Sequence, residues 1–242
     1  MVSGGLDSSG RKAAIMQPYF LPYIGYFQLI ASAELFVVYD NIEYTKKGWI
    51  NRNRFLRDGV AVTFSIPLKG DSDYLDIRDR ELASSFSPDK VLALLTSTYR
   101  RAPQFSLTMP LLERILRFGE RNLFAFVEHS IVAICAHLAI QTEIRRSSNV
   151  AIDHAARGQD KVLSICQAIG AGTYINPMGG MELYSREAFK ARGIDLKFIK
   201  TAPIRYEQFA ADFVPWLSIV DVLMFNAIDQ VQEWVRTAYE LV

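Results

Sequence analysis

Cysteine and histidine are scarce in this chain of 242 residues, which has two cysteines and three histidines. Cys135 and Cys166 lie in apolar helical patterns, which predicts buried free thiols and fits a reducing compartment. His129 and His137 share one predicted helix, but their separation is unlike the usual spacing of paired metal ligands. The sequence therefore carries no zinc or iron signature, and we expect no metal site.

A surplus of one charge is lacking too. The 27 lysines and arginines nearly balance the 26 acidic residues, whereas nucleic-acid binders usually carry a basic surplus. No signal-peptide pattern is visible, and the most apolar helical stretch, residues 123–140, is interrupted by polar residues such as Glu128. We therefore expect a cytoplasmic protein without a nucleic-acid partner or a membrane span. The oligomeric state, including a homo-oligomer, stays open.

What is present is an alternation of short apolar runs and amphipathic stretches, which predicts an α/β fold. We expect a mostly parallel, Rossmann-like or nucleotidyltransferase-like sheet flanked by helices, with a helical insertion. Residues 13–242 should form one such domain, with a helical subdomain at about 87–140. Predicted strands cover residues 13–17, 35–39, 60–68, 142–146, 173–176 and 194–199. Predicted helices cover residues 26–33, 87–99, 110–118, 122–140, 162–169, 218–225 and 228–241.

The first twelve residues are predicted to be a disordered extension rich in glycine and serine. Residues 3–8 (SGGLDS) resemble the phosphate loop of the ATP pyrophosphatases. Such a loop normally follows a buried strand and opens a helix, and neither is predicted here. The extension therefore adds no support to a nucleotide site.

Polar residues follow the first two predicted strands, where ligands bind in open α/β sheets. They are Gln17, Tyr19, Tyr23, Tyr26, Asp40 and Asn41. Next in the chain, residues 46–57 hold five basic residues together with Trp49 and two asparagines. Arginine and asparagine suit phosphate and sugar oxygens, and tryptophan offers a platform for a ring. A solvated loop in which Trp49 fills the core is the alternative for residues 46–54, and both interpretations stay open.

Five longer motifs carry a family resemblance. They are QPYFLPYIGYFQL at residues 17–29, KGWINRN at 47–53, GQD at 158–160, YINPMGG at 174–180 and LSIVDVLMFN at 217–226. These motifs resemble the WbqC-like protein family, over residues 12 to about 242. That family is associated with bacterial surface-polysaccharide gene clusters, and glycine transfer to a sugar has been proposed for it. The resemblance implies a transferase of O-antigen biosynthesis that moves a glycyl, aminoacyl or other acyl group to a nucleotide-linked amino sugar.

A more distant likeness concerns residues 22–26. They are placed like the H-x-G-H motif of nucleotidyltransferases and class I aminoacyl-tRNA synthetases, but Tyr23 and Tyr26 replace the two histidines. Tyrosine donates one hydrogen bond and carries no positive charge near neutral pH. Phosphate stabilisation would then fall to nearby lysines and arginines. An adenylate-forming enzyme and a non-catalytic sugar-nucleotide binding protein are therefore the alternatives.

An acyl transfer to an amine needs a base and donors for the developing oxyanion. The carboxylates closest to the motifs are Asp40, Glu43, Glu182 and Asp221, and the candidate donors are Asn51, Asn53, Asn176 and the Gly179 and Gly180 amides. The predicted catalytic set is Asp40, Glu182, Asp221 and Asn176. The predicted substrate-binding set is Gln17, Tyr19, Tyr23, Gly25, Tyr26, Lys46, Lys47, Trp49, Asn51, Arg52, Asn53, Arg54, Gly179, Gly180, Ser218 and Asn226. No cofactor is certain, and ATP or an acyl-CoA is the expected donor. We expect residues 17–26, 46–54 and 176–182 to converge on one cleft.

Overall fold

The computed structural model describes residues 10–72, 74–209 and 212–242, so the phosphate-loop-like residues 3–8 lie outside the described part. The strands are β1 (Arg11–Met16), β2 (Leu35–Val38), β3 (Arg52–Arg57), β4 (Val60–Ser65), β5 (Glu143–Arg146), β6 (Ala171–Pro177), β7 (Asp195–Thr201) and β8 (Tyr239–Leu241). The helices are α1 (Ile24–Ala31), α2 (Pro88–Tyr99), α3 (Phe105–Leu116), α4 (Leu123–His137), α5 (Gly158–Ala168), α6 (Arg186–Lys190), α7 (Ile219–Phe225) and α8 (Ile228–Thr237).

Six strands form the central sheet, in the order β5-β2-β1-β6-β7-β8. All neighbours are parallel except β7 and β8, which pair antiparallel at one edge. The four strands predicted around residues 13–17, 35–39, 173–176 and 194–199 lie together in this sheet. The predicted Rossmann-like α/β fold is therefore confirmed.

Helices cover both faces of the sheet, which explains why β2 is apolar and buried at every position. Successive residues of β1 point to opposite faces: Ala14 joins the cluster with α1, α2, α3, α4, α7 and α8, whereas Ile15 joins the cluster with α5 and α6. The helices of residues 88–137 share the first of these clusters with α1 and α7. The division into one domain with a helical subdomain stays a prediction. No helix in the described ranges is long and apolar enough to cross a membrane.

The expectation of a loop at residues 46–54 is wrong at its end, because β3 begins at Arg52 and pairs antiparallel with β4. Asn53 and Phe55 are buried whereas Arg52 and Arg54 are more exposed, so residues 52–55 alternate as a strand does. Arg52, Arg54 and Arg57 made this segment resemble a basic binding loop, so the sequence pattern did not indicate a strand. The missed signal is Asp58-Gly59, whose φ angles of 51° and 78° form the left-handed turn typical of a two-residue hairpin.

Two helix limits also differ from the prediction. The helix expected from residue 228 to 241 ends at Thr237, and the last residues form β8 against β7. Helix α3 begins at Phe105, five residues before the predicted start at Pro110, so the proline lies inside the helix.

Candidate functional site

The order of strands reverses between β1 and β6. From β1 the chain passes through α1 to β2 on one side, and from β6 it passes through α6 to β7 on the other. In open α/β sheets this switch point, at the carboxyl ends of the strands, is where ligands bind. The segments that start at Gln17 and Met178 leave the sheet on either side of it. Two of the three predicted loops therefore begin at this position.

The loop after β1 is held by side chains that come from far along the chain. Asn53 Nδ2 donates to the carbonyl oxygens of Phe20, at 3.0 Å, and Leu21, at 2.8 Å. Ser218 Oγ donates to the same Leu21 oxygen at 2.6 Å, and Asn53 Oδ1 accepts from the Arg54 N–H at 2.9 Å. Leu21 has a φ of 44°, which non-glycine residues adopt only where the surroundings hold them. Asn53 and Ser218 thus direct their hydrogen bonds to this loop.

A cavity of about 210 Å³ opens above that loop, and we call it the tryptophan–arginine pocket. It is lined by Tyr19, Pro22, Tyr23, Trp49, Asn53, Arg54 and Trp216. The structure therefore brings together the predicted segments 17–26 and 46–54. Sequence reasoning missed Trp216, which is 62% exposed and has a φ of 61°. Its only signal was its position directly before the motif at residues 217–226.

The two arginines beside Trp49 play different parts. The Arg52 side chain lies 5.5 Å from the Trp49 ring and donates to the carbonyl oxygens of Gly48 and Lys47, so it holds the preceding turn. The Arg54 guanidinium lies 5.3 Å from the centroid of the same Trp49 ring, and its Nη2 donates to the Trp216 carbonyl at 2.9 Å. The Arg54 Nε is buried and has no partner in the described part of the chain. Arg54 therefore lines the pocket with a guanidinium that the described part of the protein does not fully pair.

Tyr19 and Tyr23 line the pocket, and Tyr26 packs against Tyr19 with ring centroids 5.6 Å apart. Tyr26 is buried and donates to the Gln17 carbonyl at 2.8 Å, so it fixes the start of the loop. Burial raises the pKa of Tyr19 and of Tyr23, so both phenols keep their protons at neutral pH and can donate. A Cβ at Gly25 would lie 2.3 Å from the Tyr23 ring. Glycine at this position lets the Tyr23 ring lie against the start of α1.

Asp40 lies in a separate polar cluster, at the carboxyl ends of β2 and β5. Its Oδ1 accepts from Ser147 Oγ and the Ser148 N–H, both at 2.8 Å, and its Oδ2 accepts from Ser148 Oγ. Burial acts to raise the pKa of Asp40, but these hydrogen bonds together outweigh it and lower the pKa. Asp40 is therefore a stable carboxylate and a weak base.

Next to Asp40, Asn41 meets two residues that sequence reasoning missed. Asn41 Nδ2 lies 2.8 Å from His154 Nδ1, and Lys161 Nζ donates to the Asn41 carbonyl at 3.0 Å. Lys161 is only 7% exposed, and burial lowers its pKa. Its one sequence signal was its place directly after the GQD motif.

Asp221 is 0% exposed and accepts hydrogen bonds from Tyr99 at 2.8 Å, Tyr206 at 2.7 Å and Gln208 at 2.7 Å. Burial raises its pKa. These bonds tie α7 to α2 and to the segment that precedes α7. A catalytic role for Asp221 stays a prediction, and its surroundings are those of a residue that holds the fold together.

The segment after β6 is anchored by Asn176. Asn176 Oδ1 accepts from the Tyr174 hydroxyl, and its Nδ2 donates to the Pro177 carbonyl, both at 3.1 Å. A Cβ at Gly180 would lie 2.0 Å from that Nδ2, so glycine is required for this arrangement. Gly179 and Glu182 are exposed. The convergence of this segment on the tryptophan–arginine pocket stays a prediction.

In the described part of the chain, the pocket wall does not include Asn51, Asn226, Lys46 or Lys47. Asn51 bridges the Tyr44 hydroxyl and the Ile66 carbonyl at 2.8 Å each, and Asn226 Nδ2 donates to the Val222 carbonyl at 2.8 Å. Lys46 and Lys47 are exposed on the turn before Trp49. Ile50 is the completely buried residue of this segment, while Trp49 is half-buried at the pocket.

A model of the WbqC-like protein family matches residues 17–233. The chain belongs to the WbqC-like protein family. It is also similar to the uncharacterized protein Rv1507c of Mycobacterium tuberculosis, with 27% identity over 230 residues. The matched region covers 93% of this chain and 98% of that protein.

The WbqC-like motifs contribute to three places: the tryptophan–arginine pocket, the cluster around Asp40, and the end of β6. The motifs at residues 17–29, 47–53 and 217–226 supply most of the pocket wall and the Ser218 clamp. The motif at 158–160 precedes Lys161 in the Asp40 cluster, and the motif at 174–180 covers the end of β6. The motifs therefore cluster at the carboxyl edge of the sheet.

Proposed function

We propose that this WbqC-like protein is a transferase of surface-polysaccharide biosynthesis. It adds a glycyl, aminoacyl or other acyl group to the amino group of a sugar while that sugar is nucleotide-linked. The observation that carries the proposal is the tryptophan–arginine pocket beside the switch point. It combines four aromatic rings with an arginine that has an unused buried donor.

These groups suit the parts of a sugar nucleotide. The faces of Trp49 and Trp216 offer platforms for a sugar or base, and the phenols of Tyr19 and Tyr23 can donate to hydroxyl oxygens. Arg54 presents a planar cation of the kind that binds phosphate oxygens. A ligand phosphate at this guanidinium would meet a side chain whose Nε has no partner among the described residues.

In the proposed step the amine nitrogen attacks the carbonyl carbon of the donor. A C–N bond forms, the bond to the leaving oxygen or sulfur breaks, and the amine gives up a proton to a base. We assign the base to Glu182, because Asp221 is sealed and Asp40 already accepts several hydrogen bonds. The amides of Gly179 and Gly180 are the proposed oxyanion donors, since the Asn53 amide is engaged with the loop.

The test mixes purified protein, UDP-glucosamine as the amine-bearing probe, and either glycine with ATP or an acyl-CoA, and follows product mass. The proposal expects a mass gain equal to the acyl group, and a loss of it in Arg54→Ala. Lys69→Ala serves as a matched control, because this exposed lysine pairs with Glu81 away from the pocket. The proposal is wrong if a panel of amino-sugar nucleotides binds and no donor produces a mass gain.

A non-catalytic sugar-nucleotide binding protein is the second candidate. It is favoured by the way Asn53, Ser218 and Asp221 direct their polar groups to the protein itself. Under this reading Arg54→Ala loses affinity, and no turnover exists to be lost. An adenylate-forming enzyme would instead release pyrophosphate from ATP in the same assay without a mass gain on the sugar. Tyr26, which replaces the second histidine of the H-x-G-H-like motif, donates its hydroxyl hydrogen bond to the Gln17 carbonyl.

A further inference from the structure

A second cavity, of about 300 Å³, lies beside the tryptophan–arginine pocket. Tyr23 and Trp216 line both cavities, and their rings meet edge to face with centroids 5.9 Å apart. These two side chains therefore form a shared wall. A volume of this size is at the lower end of the range for small-molecule sites.

The walls of this second cavity are mostly apolar. They include Ile24, Ile204, Phe213, Leu217 and Val222. Tyr206 also lines it, but its hydroxyl donates to the buried Asp221 at 2.7 Å. The Tyr206 polar tip is thus used inside the protein, and its ring is available for apolar contact.

The charged side chain among the described lining residues of this cavity is positive. No carboxylate is found among its described lining residues, and Asp221 lies sealed behind Tyr206. Arg205 lines it and is exposed. A glycyl or aminoacyl group carries an ammonium, which needs an acceptor and would be repelled by this arginine. An aliphatic acyl group on an anionic carrier fits both the walls and the charge.

We propose that the second cavity holds the aliphatic part of the acyl group that is transferred, and that the donor is an acyl thioester of a phosphate-bearing carrier. This inference rests on the proposed function and selects one donor class from it. The C–S bond of the thioester breaks as the C–N bond forms, the amine proton goes to the base, and the thiolate takes a proton from solvent. The acyl group and the sugar nucleotide then meet across the wall of Tyr23 and Trp216.

The test measures binding of CoA, acetyl-CoA, propionyl-CoA and butyryl-CoA by titration calorimetry. Burial of each added methylene should tighten binding about fourfold, or roughly fifteenfold from acetyl to butyryl. Ala202→Phe should remove this trend, because Ala202 lines the second cavity and not the first, while UDP-glucosamine affinity changes less than about twofold. Ala93→Phe, at an exposed alanine of α2, is the matched control and should leave both affinities unchanged.

Affinity that is independent of chain length in the natural protein overturns the inference, as does an unchanged trend in Ala202→Phe. The natural-sequence series decides the matter even where the phenylalanine variant folds poorly. Transfer of glycine without a chain-length effect would leave the proposed function standing and refute this donor class. A clear chain-length effect without any transfer would support the cavity assignment and refute the proposed function.

Discussion

Asn53 gives the sharpest structural prediction. Its amide makes three hydrogen bonds, to the Phe20 and Leu21 carbonyls and from the Arg54 N–H. A buried hydrogen bond contributes about 1 kcal/mol net, so Asn53→Ala should lower the free energy of unfolding by roughly 3 kcal/mol. The loop after β1 carries Tyr19 and Tyr23, so the same change should also weaken ligand binding at the pocket.

Urea unfolding checks this value, with Asn149→Ala as a matched control at an exposed asparagine. The control should change stability by less than about 0.5 kcal/mol. Asn53→Asp separates hydrogen bonding from volume, because aspartate keeps the acceptor for Arg54 and replaces both donors with an oxygen. It should destabilise at least as much as alanine at neutral pH. A loss below about 1 kcal/mol in Asn53→Ala, with an unchanged denaturant dependence, would refute the reasoning.

Three further predictions follow from the site. Gly25→Ala should keep the fold but push aside the Tyr23 ring, which lines both cavities. Calorimetry should therefore show weaker UDP-glucosamine binding, and an unchanged affinity would contradict this prediction. Asp40→Asn and Asp221→Asn should show opposite pH trends in unfolding free energy. The folded pKa of Asp40 is lowered, so its contribution to stability is present above roughly pH 4 and is lost on acidification. The folded pKa of Asp221 is raised, so its contribution to stability is greatest below roughly pH 4 and declines as pH rises through the folded pKa. Parallel trends would refute at least one of the two pKa directions. Glu182→Gln should lower the rate of acyl transfer about a hundredfold or more without weakening UDP-glucosamine binding, and an unchanged rate would remove Glu182 as the base.

The sheet was predictable because its strands are locally explicit. Leu35 to Val38 is apolar at each position, as a strand buried on both faces must be. The hairpin of β3 and β4 was hidden because Arg52 and Arg54 alternate with a buried asparagine instead of with apolar residues. Its turn at Asp58 would have revealed it.

The site was predictable only in part, because its assembly depends on contacts between distant residues. The loops carrying Tyr19 and Trp49 were found from their composition. The position of Trp216 beside them depends on contacts such as that from Arg54 Nη2 to the Trp216 carbonyl, 162 residues apart. Ser147 meets Asp40 across 107 residues, and no local pattern indicates such a pair.

The proposed function requires that the sugar nucleotide binds in the tryptophan–arginine pocket at the carboxyl edge of the sheet. A crystal structure with UDP-glucosamine tests it most directly. We predict the ligand against the rings of Trp49 and Trp216, with an acceptor atom within hydrogen-bond distance of the Arg54 guanidinium. A ligand bound at the opposite edge of the sheet, with this pocket empty, would contradict the proposed function.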